Sequence, residues 1–259
     1  MAEPKKTALI TGASGGIGEA LARLCAKGGF DLVLVARRQD RLDALADELG
    51  RASCRVVAAD LSDPAAPRAI FDRLAAQGVR VDALINNAGF AVNGAVAEAS
   101  EARQVEMIQV NVAALAHLTR LFLPPMIARG WGRILNVASV AGFMPGPLMA
   151  GYYASKAFVV SYSEALAVEL EGTGVAVTTL CPGPTATGFE AAAGAEGTPL
   201  FQSGVMAVEP VARAAYAAMM AGRGLIVPGL RNRLLVASTR FTPRRLLARI
   251  AKRLNAPSK

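Results

Sequence analysis

Histidine and cysteine are scarce in this chain, and their scarcity argues against several kinds of catalytic centre. His117 is the only histidine, so a histidine metal site or a Ser-His-Asp triad is hard to build. Cys25, Cys54 and Cys181 are far apart, lack metal-ligand spacing and cannot all pair. We therefore interpret the cysteines as reduced packing residues and expect no metal centre.

Long apolar runs are also missing. No run approaches the roughly 20 consecutive apolar residues that a membrane-spanning helix requires. The first six residues, Met1 to Lys6, are charged and lack the apolar core of a signal peptide. Apolar residues make up 53% of the chain and charged residues 19%, which allows a large core. We expect a cytoplasmic protein built around one compact domain.

Acidic residues are absent from the end of the chain. The net charge is +8, yet no Asp or Glu follows Glu209, whereas eleven Lys and Arg residues do. Residues 1–209 sum to −3, so the basic character belongs to the tail and the body is slightly acidic. This division argues against nucleic acid as a partner.

Short apolar runs alternate with helical runs rich in alanine and leucine. The predicted strands are Thr7–Thr11, Asp31–Ala36, Cys54–Ala59, Ala83–Asn86, Arg133–Ala138, Val175–Cys181 and Leu225–Val227. Helical patterns lie near 17–28, 40–49, 64–77, 101–129, 152–171 and 208–221. This alternation predicts an α/β fold with a Rossmann-type, doubly wound parallel sheet of about seven strands and helices on both faces. Ligands of such sheets bind at the carboxyl ends of the strands.

A glycine-rich loop follows the first predicted strand and precedes a helix. Its spacing is G-x-x-x-G-x-G rather than the G-x-G-x-x-G of many dinucleotide-binding loops. Glycines let a pyrophosphate approach closely, and the helix N-terminus supplies free N–H groups. An ordinary strand-to-helix turn is the alternative, but the position favours a nucleotide. The candidate cofactor residues here are Gly12, Ser14, Gly15, Gly16, Ile17 and Gly18.

The second strand ends on Ala36, followed by Arg37 and Arg38, instead of on the acidic residue that would bind the ribose 2′-hydroxyl of NAD. Guanidinium groups suit a 2′-phosphate, because they form charge-assisted and often bidentate hydrogen bonds. A solvated basic start to the next helix is the alternative. The sequence favours NADP(H) as cofactor.

With these motifs the sequence resembles the short-chain dehydrogenase/reductase family, in its single-domain branch, over roughly residues 5–190. The motifs occur in the family's order and mostly follow predicted strands. They are the glycine loop, Asp60-Leu61, Asn86-Asn87-Ala88-Gly89, Asn111, Ser139, Tyr152-Tyr153-Ala154-Ser155-Lys156 and Pro182-Gly183-Pro184-Thr185-Ala186-Thr187.

The resemblance implies further cofactor contacts and an assembly. Asp60, with Leu61 beside it, would accept a hydrogen bond from the adenine amino group. The segment 87–89 would line the adenosine ribose, and the segment 182–187 would contact the nicotinamide end. The residues implied are Asp60, Leu61, Asn87, Ala88, Gly89, Pro182, Gly183, Thr185 and Thr187. A homodimer or homotetramer is implied as well.

Tyr152 and Lys156 are four residues apart and so share one face of a helix. A free tyrosine has a pKa of about 10, and an ammonium at about 4 Å could lower it by about 3 units at an effective dielectric near 20. We expect Tyr152 to exchange a proton with the substrate oxygen and Ser139 to hold that oxygen. The resemblance implies that Lys156 also binds the nicotinamide ribose and that Asn111 keeps a water near it. Tyr153 lies about 100° further round the helix and should face elsewhere.

The stretch Ala141–Ala150 lies between Ser139 and Tyr152 and carries no charge. It predicts an apolar substrate wall and hence a hydrophobic ketone, aldehyde or secondary alcohol. The substrate contacts expected are Ser139, Phe143, Met144, Tyr152 and Phe189, with Phe90 as a further candidate. Residues 188–207 are rich in Gly and Ala, and we expect them to form a mobile flap over the site.

We divide the chain into a catalytic domain, 1–230, and a basic amphipathic extension, 231–259. Pro243 can begin a helix whose Leu246, Leu247, Ile250 and Leu254 share one face, with cations on the rest. Such a helix could lie on an anionic membrane, peripherally at the inner surface. It could equally dock on the body or on a second subunit.

Two other functions remain open at this point. One is a catalytically silent nucleotide-binding sensor on the same fold, although such a sensor has no need of Asn111, Ser139, Tyr152 and Lys156 together. The other is a membrane-surface adaptor that acts through the tail. A lyase-type relative without cofactor is disfavoured by the glycine loop and by Arg37 and Arg38.

Overall fold

The computed structural model describes residues 5–202 and 204–256. Within them one parallel sheet contains seven strands, β1 (Thr7–Thr11), β2 (Asp31–Ala36), β3 (Cys54–Ala58), β4 (Ala83–Asn86), β5 (Gly132–Val137), β6 (Val175–Leu180) and β7 (Leu225–Ile226). The strand order is β3-β2-β1-β4-β5-β6-β7. The predicted strand bounds agree to within one residue at each end.

Helices connect the strands and extend beyond the last one. They are α1 (Gly16–Lys27), α2 (Gln39–Leu49), α3 (Ala66–Ala76), α4 (Glu101–Ile108), α5 (Leu115–Ala128), α6 (Ala150–Glu169), α7 (Phe189–Ala193), α8 (Pro199–Gln202), α9 (Val208–Met220), α10 (Leu230–Ser238) and α11 (Arg244–Asn255). Short 3₁₀ turns occupy Arg51–Ser53 and Val140–Phe143. The helical patterns read from the sequence correspond to α1–α6 and α9, whereas α7, α8 and α10 were not anticipated.

The central strands are buried on both faces, which explains their continuous apolar runs. Ile10 of β1 packs with Leu21 of α1 in one core cluster, and Leu9 packs with Leu118 of α5 in another. All four side chains are at most 1% exposed. Helices therefore cover both sides of the sheet, and the predicted doubly wound Rossmann-type fold is confirmed.

The chain changes direction in the sheet at β1. Strand β1 pairs in parallel with β2 on one side and with β4 on the other. Connections on the two sides leave the sheet over opposite faces, so a crevice opens at the carboxyl ends of β1 and β4. The glycine loop and the segment after Asn86 both lie at this crevice.

A long helical stretch, Glu101–Ala128, packs on the face that holds α3. It joins α4 and α5 through a π-helical segment, Gln109–Ala114. By length and composition the stretch could cross a membrane, but half of its most apolar window is buried inside the protein. This burial is what a core helix of a doubly wound sheet requires. The π segment contains Asn111, and π-bulges often occur at functional sites.

The tail helix α11 docks on the body by one face and exposes an apolar row beside it. Leu247, Ala251 and Asn255, which are four residues apart in turn, are buried. Leu246, Ile250 and Leu254 are 40–48% exposed. The four residues predicted to share a face do so in α11, within about 100° of one another, but only Leu247 of them is buried, and Ala251 and Asn255 complete the packed face. The proposed boundary at residue 230 stays a prediction.

Candidate active site

The glycine loop is held against the segment after β4 by polar contacts. The N–H groups of Asn87 and Ala88 both donate to Thr11 Oγ1 at 3.0 Å. Asn87 Nδ2 donates to the carbonyl oxygens of Thr11 and Gly12 at 3.0 and 3.2 Å. A Cβ atom on Gly18 would overlap both the Gly12 carbonyl oxygen and Asn87 Nδ2. The loop thus passes too close to its neighbour for any side chain at that position.

The two arginines after β2 have different surroundings. Arg38 Nη2 donates to the carbonyl oxygen and the hydroxyl of Ser14, at 3.0 and 3.1 Å. Arg37 instead lies 3.5 Å from a carboxylate oxygen of Glu106 and 4.0 Å from one of Asp60. The sequence reasoning treated both guanidinium groups alike. In the structure Arg38 adjoins the glycine loop, while Arg37 pairs with acids.

Tyr152 lies in the first turn of α6 and faces Ser139, which follows β5. Their side chains form a hydrogen bond. Ser139 Oγ also accepts from the Ala141 N–H at 3.1 Å, which fixes the serine within its turn. The Phe189 ring packs beside Tyr152 with the ring centroids 5.4 Å apart. The phenol is therefore enclosed by one polar and one apolar neighbour.

Burial dominates the acidity of this phenol. It raises the pKa of Tyr152 well above the ordinary value, and the hydrogen bond with Ser139 offsets only part of the rise. The expectation that Lys156 lowers this pKa is not met in this structure. Lys156 Nζ is 5.8 Å from the Tyr152 ring centroid and donates to the Val137 carbonyl oxygen at 2.8 Å. Tyr152 is consequently a protonated phenol at neutral pH.

Lys156 is 4% exposed, and burial lowers its pKa from 10.5 to about 8. The ammonium form still predominates at pH 7, since a pKa near 8 leaves about nine tenths protonated. The site therefore contains a phenol and an ammonium that both carry a proton at neutral pH.

Asn111 is buried and connects two parts of the site. Its Nδ2 donates to the Phe90 carbonyl oxygen at 2.9 Å and to Ser155 Oγ at 3.0 Å, and its Oδ1 accepts from the Phe90 N–H at 3.1 Å. Ser155 in turn donates to the Tyr152 carbonyl oxygen at 2.7 Å. Asn111 thus positions the first turn of α6, and sequence reasoning overlooked Ser155 as the intermediate.

Tyr153 points to the tail, as the helical geometry predicts. Its hydroxyl donates to Asn255 Oδ1 at 3.2 Å. Asn255 Nδ2 donates to the Pro147 carbonyl oxygen at 2.9 Å, and the Asn255 carbonyl oxygen accepts from Asn93 Nδ2 at 3.3 Å. Asn255 is fully buried. The end of α11 is thereby attached to three body segments around the site.

One cavity of about 730 Å³ joins the glycine loop, Tyr152 and the tail. Most residues assigned from the sequence line it: Gly12, Ser14, Gly15, Gly16, Ile17, Arg37, Arg38, Asp60, Leu61, Asn87, Ala88, Gly89, Phe90, Ser139, Met144, Tyr152, Lys156, Pro182, Gly183, Thr185, Thr187 and Phe189.

Three assigned residues lie outside the cavity lining. Gly18 supports the loop from behind, and Asn111 acts through Phe90 and Ser155. Phe143 was expected to contact substrate but packs against an apolar cluster that includes Leu115 and Val159. The substrate assignment of Phe143 is therefore wrong, because its turn directs the ring toward the core.

Sequence reasoning missed two groups of lining residues. Glu106 of α4 borders the cavity and pairs with Arg37. The tail supplies a second group, Leu235, Ser238, Thr242, Leu247, Ile250, Ala251 and Leu254. The amphipathic pattern of α11 was visible in the sequence, but nothing in it indicated that this helix covers the site.

The segment expected to be a flap contains α7 and α8. The Asn93 N–H donates to the Ala193 carbonyl oxygen at 3.0 Å, and Thr185 forms a bridge with Met206. Phe189, Leu200 and Phe201 from this segment line the cavity. The described residues of this segment are folded, and they border the cavity together with the tail.

Comparison with known proteins gives a consistent result. The family described as short chain dehydrogenase matches residues 6–197. A short chain dehydrogenase of Pseudocercospora fijiensis is 39% identical over 182 residues, which cover 69% of this chain but only 59% of the fungal protein.

Solved structures show the same likeness. A short-chain dehydrogenase from Sphingobium yanoikuyae in complex with NADPH is 36% identical, with a TM-score of 0.81 over 91% of this chain and 94% of the other. A 7β-hydroxysteroid dehydrogenase is 27% identical, with a TM-score of 0.85 over 95% and 96%. The likeness to both therefore extends beyond residue 197 into the tail.

Proposed function

Because the chain belongs to the short-chain dehydrogenase family, we propose that it transfers a hydride between NADP(H) and an apolar ketone, aldehyde or secondary alcohol. The observation that carries the proposal is the buried Tyr152 phenol, hydrogen-bonded to Ser139 within the cavity that the glycine loop borders. A protein that only binds a nucleotide would not need a buried tyrosine and a serine at the opposite end of the same cavity.

The residues at the glycine loop fit a dinucleotide. At Gly12 and Gly18 a Cβ atom would overlap neighbouring protein atoms, so glycine lets the loop pack closely there. Ser14, Gly15 and Gly16 line the cavity where α1 begins, at the point where a pyrophosphate would approach the helix N-terminus. Arg38 and Ser14 would hold the 2′-phosphate, and Asp60 the adenine. The relative from Sphingobium yanoikuyae binds NADPH, which supports NADP(H) for this chain. When bound, the nicotinamide supplies or accepts the hydride.

The chain's own residues provide the proton and hold the substrate. A phenol with a raised pKa keeps its proton at neutral pH, so Tyr152 is prepared to donate to a carbonyl oxygen. Ser139 is within hydrogen-bonding distance of Tyr152 and would bind the same oxygen. Lys156 donates to the Val137 carbonyl oxygen and lies too far from the phenol to lower its pKa, so we propose that this lysine serves the cofactor by holding the nicotinamide ribose. We propose carbonyl reduction as the favoured direction.

The substrate part of the cavity points to an apolar compound. Among the described residues, its lining from α7, α8 and the tail contains no charged side chain. Phe189, Phe201 and Leu247 are representative, and Met144 adds an apolar side chain from the residue after the turn Val140–Phe143. A carboxylate or sulfonate substrate would find no counter-charge there other than Lys156. The structural likeness to a 7β-hydroxysteroid dehydrogenase is compatible with a bulky apolar substrate.

We also propose that the protein is a homodimer or homotetramer. Val105 and Ile108 of α4 are 63% and 49% exposed, and Val168 of α6 is 66% exposed. Helices α4 and α6 contact each other, so the exposed side chains lie on adjacent helices. Apolar groups that remain in water on adjacent helices favour burial against a second subunit.

A pair of single substitutions tests the catalytic proposal. Tyr152→Phe should lower kcat for NADPH-dependent ketone reduction by roughly 10²- to 10⁴-fold, because it removes the general acid. NADPH affinity, measured by fluorescence titration, should change little. Tyr153→Phe is the matched control, since its hydroxyl bonds to Asn255 and should leave kcat nearly intact.

The outcomes separate the rival functions. NADPH binding without turnover of any of a broad panel of apolar carbonyl compounds would favour a nucleotide sensor. Equal losses in the Tyr152→Phe and Tyr153→Phe variants would contradict the assignment of the proton donor.

A further inference from the structure

The two tail helices carry a cationic surface without acidic residues. Eight cations lie in the described part of the tail, and every one is exposed: Arg231, Arg233, Arg240, Arg244, Arg245, Arg249, Lys252 and Arg253. Segment 230–256 contains no Asp or Glu. None of the ion pairs found among the described residues involves these eight side chains. Their charge therefore faces solvent uncompensated.

Large apolar side chains are exposed beside these cations. Phe241 is 88% exposed, Leu230 70% and Leu234 63%. Leu246, Ile250 and Leu254 form a second exposed row along α11. Leu235 is exposed as well, and we call these seven residues together with the eight cations the tail surface. Apolar groups so exposed are unusual in a segment that is otherwise so charged.

The arrangement round α11 places the two kinds of residue side by side. Successive residues are 100° apart round the helix axis. Going round the axis from the buried row of Leu247, Ala251 and Asn255, the next row is the exposed one of Leu246, Ile250 and Leu254. Arg245, Arg249 and Arg253 follow next. The exposed apolar row thus lies between the protein body and the cations, which is the order expected of a helix at a membrane interface.

The tail surface borders the substrate cavity. Leu235, Ile250 and Leu254 line the cavity and are also 40–44% exposed. Side chains that are both lining and exposed mark an opening. Helices α10 and α11 both contribute to its rim, so the opening lies among the exposed apolar groups.

We propose that the tail surface docks on the anionic face of a lipid bilayer, with the rim of the cavity directed toward the membrane. Phosphate head groups would neutralise the cations, and the apolar row would enter the boundary with the acyl chains. The docking stands independently of the reaction. The delivery of an apolar substrate from the bilayer into the cavity rests on the proposed function.

Charge distinguishes this occupant from two others. A second copy applied to the same face would bring eight cations against eight, which is unfavourable. Nucleic acid would neutralise the cations but gives no reason for seven exposed apolar side chains beside them. An anionic bilayer satisfies both kinds of residue.

Vesicle co-sedimentation of the full-length protein tests the proposal. We expect binding to phosphatidylcholine vesicles that contain phosphatidylglycerol, weaker binding at high salt, and little binding to pure phosphatidylcholine. The triple variant Arg245→Gln, Arg249→Gln, Arg253→Gln should lower the partition coefficient roughly 100-fold, because each cation near an anionic leaflet contributes roughly a factor of five.

Two further variants separate the contributions. Lys27→Gln, Arg55→Gln, Arg73→Gln removes three exposed cations from the body and should bind like the wild type. Phe241→Ser with Leu234→Ser keeps every charge but should weaken binding, because burial of apolar surface is lost. Turnover of a water-soluble ketone without lipid should be the same in all variants, which shows that each one is folded.

Equal binding to neutral and anionic vesicles, or no binding to either, would overturn the proposal. So would equal losses from the tail and body charge variants, since net charge rather than this surface would then be responsible. Because binding is measured without substrate, a failure here leaves the proposed reaction untouched. Failure of the reaction would likewise leave the binding result valid.

Discussion

At the residue scale, the buried charge of Lys156 imposes an energetic penalty on the folded state. The side chain is buried and its pKa is lowered from 10.5 to about 8. The folded state therefore holds this proton less tightly than the unfolded chain. The penalty is fully present below pH 8, where both states are protonated, and it disappears as the pH rises toward 10.5. A difference of about 2.5 pKa units corresponds to about 3 kcal/mol.

Replacing Lys156 by Met should make the protein inactive but more stable at neutral pH. The substitution removes the penalty of about 3 kcal/mol and loses the bond to Val137, which contributes about 1 kcal/mol at every pH. We expect a gain of about 2 kcal/mol at pH 7 that decreases above pH 8 and changes sign near pH 10, where the remaining penalty equals the contribution of the lost bond. Urea denaturation of both proteins across this range measures it.

The wild type is the reference at every pH in this experiment. Buried groups such as Cys181 and Tyr152 also titrate differently in the folded state, but they are present in both proteins and largely cancel. If the difference in free energy of unfolding between the two proteins stayed constant from pH 7 to 10.5, Lys156 would not be a buried lysine with a lowered pKa.

Sequence reasoning identified the right tyrosine but not the electrostatics around it. The choice of Tyr152 over Tyr153 follows from helical periodicity, which is a local property. The distance between Lys156 and the phenol depends on the Val137 carbonyl, which belongs to β5 and is remote in sequence. Contacts of this kind have no local pattern and could not be predicted.

At the element scale, the amphipathic pattern of α11 does not reveal which of its residues pack against the body. Hydropathy selects leucine and isoleucine, whereas the packed row consists of Leu247, Ala251 and Asn255. A small residue allows close approach of the helix, and a buried asparagine finds polar partners on Tyr153 and Pro147. Neither preference can be recognised without the surface on which the helix docks.

Replacing Asn255 by Ala should loosen this helix without touching the reacting groups. The change leaves the Tyr153 hydroxyl and the Pro147 carbonyl oxygen buried without this partner, at a cost of about 2–3 kcal/mol. The melting temperature should fall by about 5–10 °C. Because α11 covers the substrate end of the cavity, KM for a bulky ketone should rise several-fold while kcat stays nearly constant.

Lys252→Ala is the matched control on the same helix, since Lys252 is exposed and does not line the cavity. It should change stability by less than about 0.5 kcal/mol and leave KM unaltered. If Asn255→Ala lowered kcat and left KM unchanged, α11 would not act as a positioning element for substrate.

At the scale of the whole molecule, most of the architecture follows from the order of the apolar runs. Seven short apolar runs that alternate with helical patterns predict a doubly wound parallel sheet, and the crevice at β1 and β4 follows from that topology. The part that could not be predicted is the closure of the cavity by α7, α8, α10 and α11. These elements are short or sparsely apolar, so their positions depend on the completed body.

A ligand that binds in the cavity should stabilise the whole fold, and the choice of cofactor can be read from this effect. At about 100 times its Kd, NADPH should add about 2.7 kcal/mol, or about 5–10 °C in melting temperature. Arg38→Gln removes a charged partner worth about 2 kcal/mol and should reduce this increment to about 1 kcal/mol, with no change in the smaller effect of NADH.

Arg37→Gln is the control, because Arg37 is paired with Glu106 and Asp60 and should retain the NADPH increment. Equal shifts by NADPH and NADH in the wild type, or equal losses in the two arginine variants, would show that the glycine loop and Arg38 do not select a 2′-phosphate.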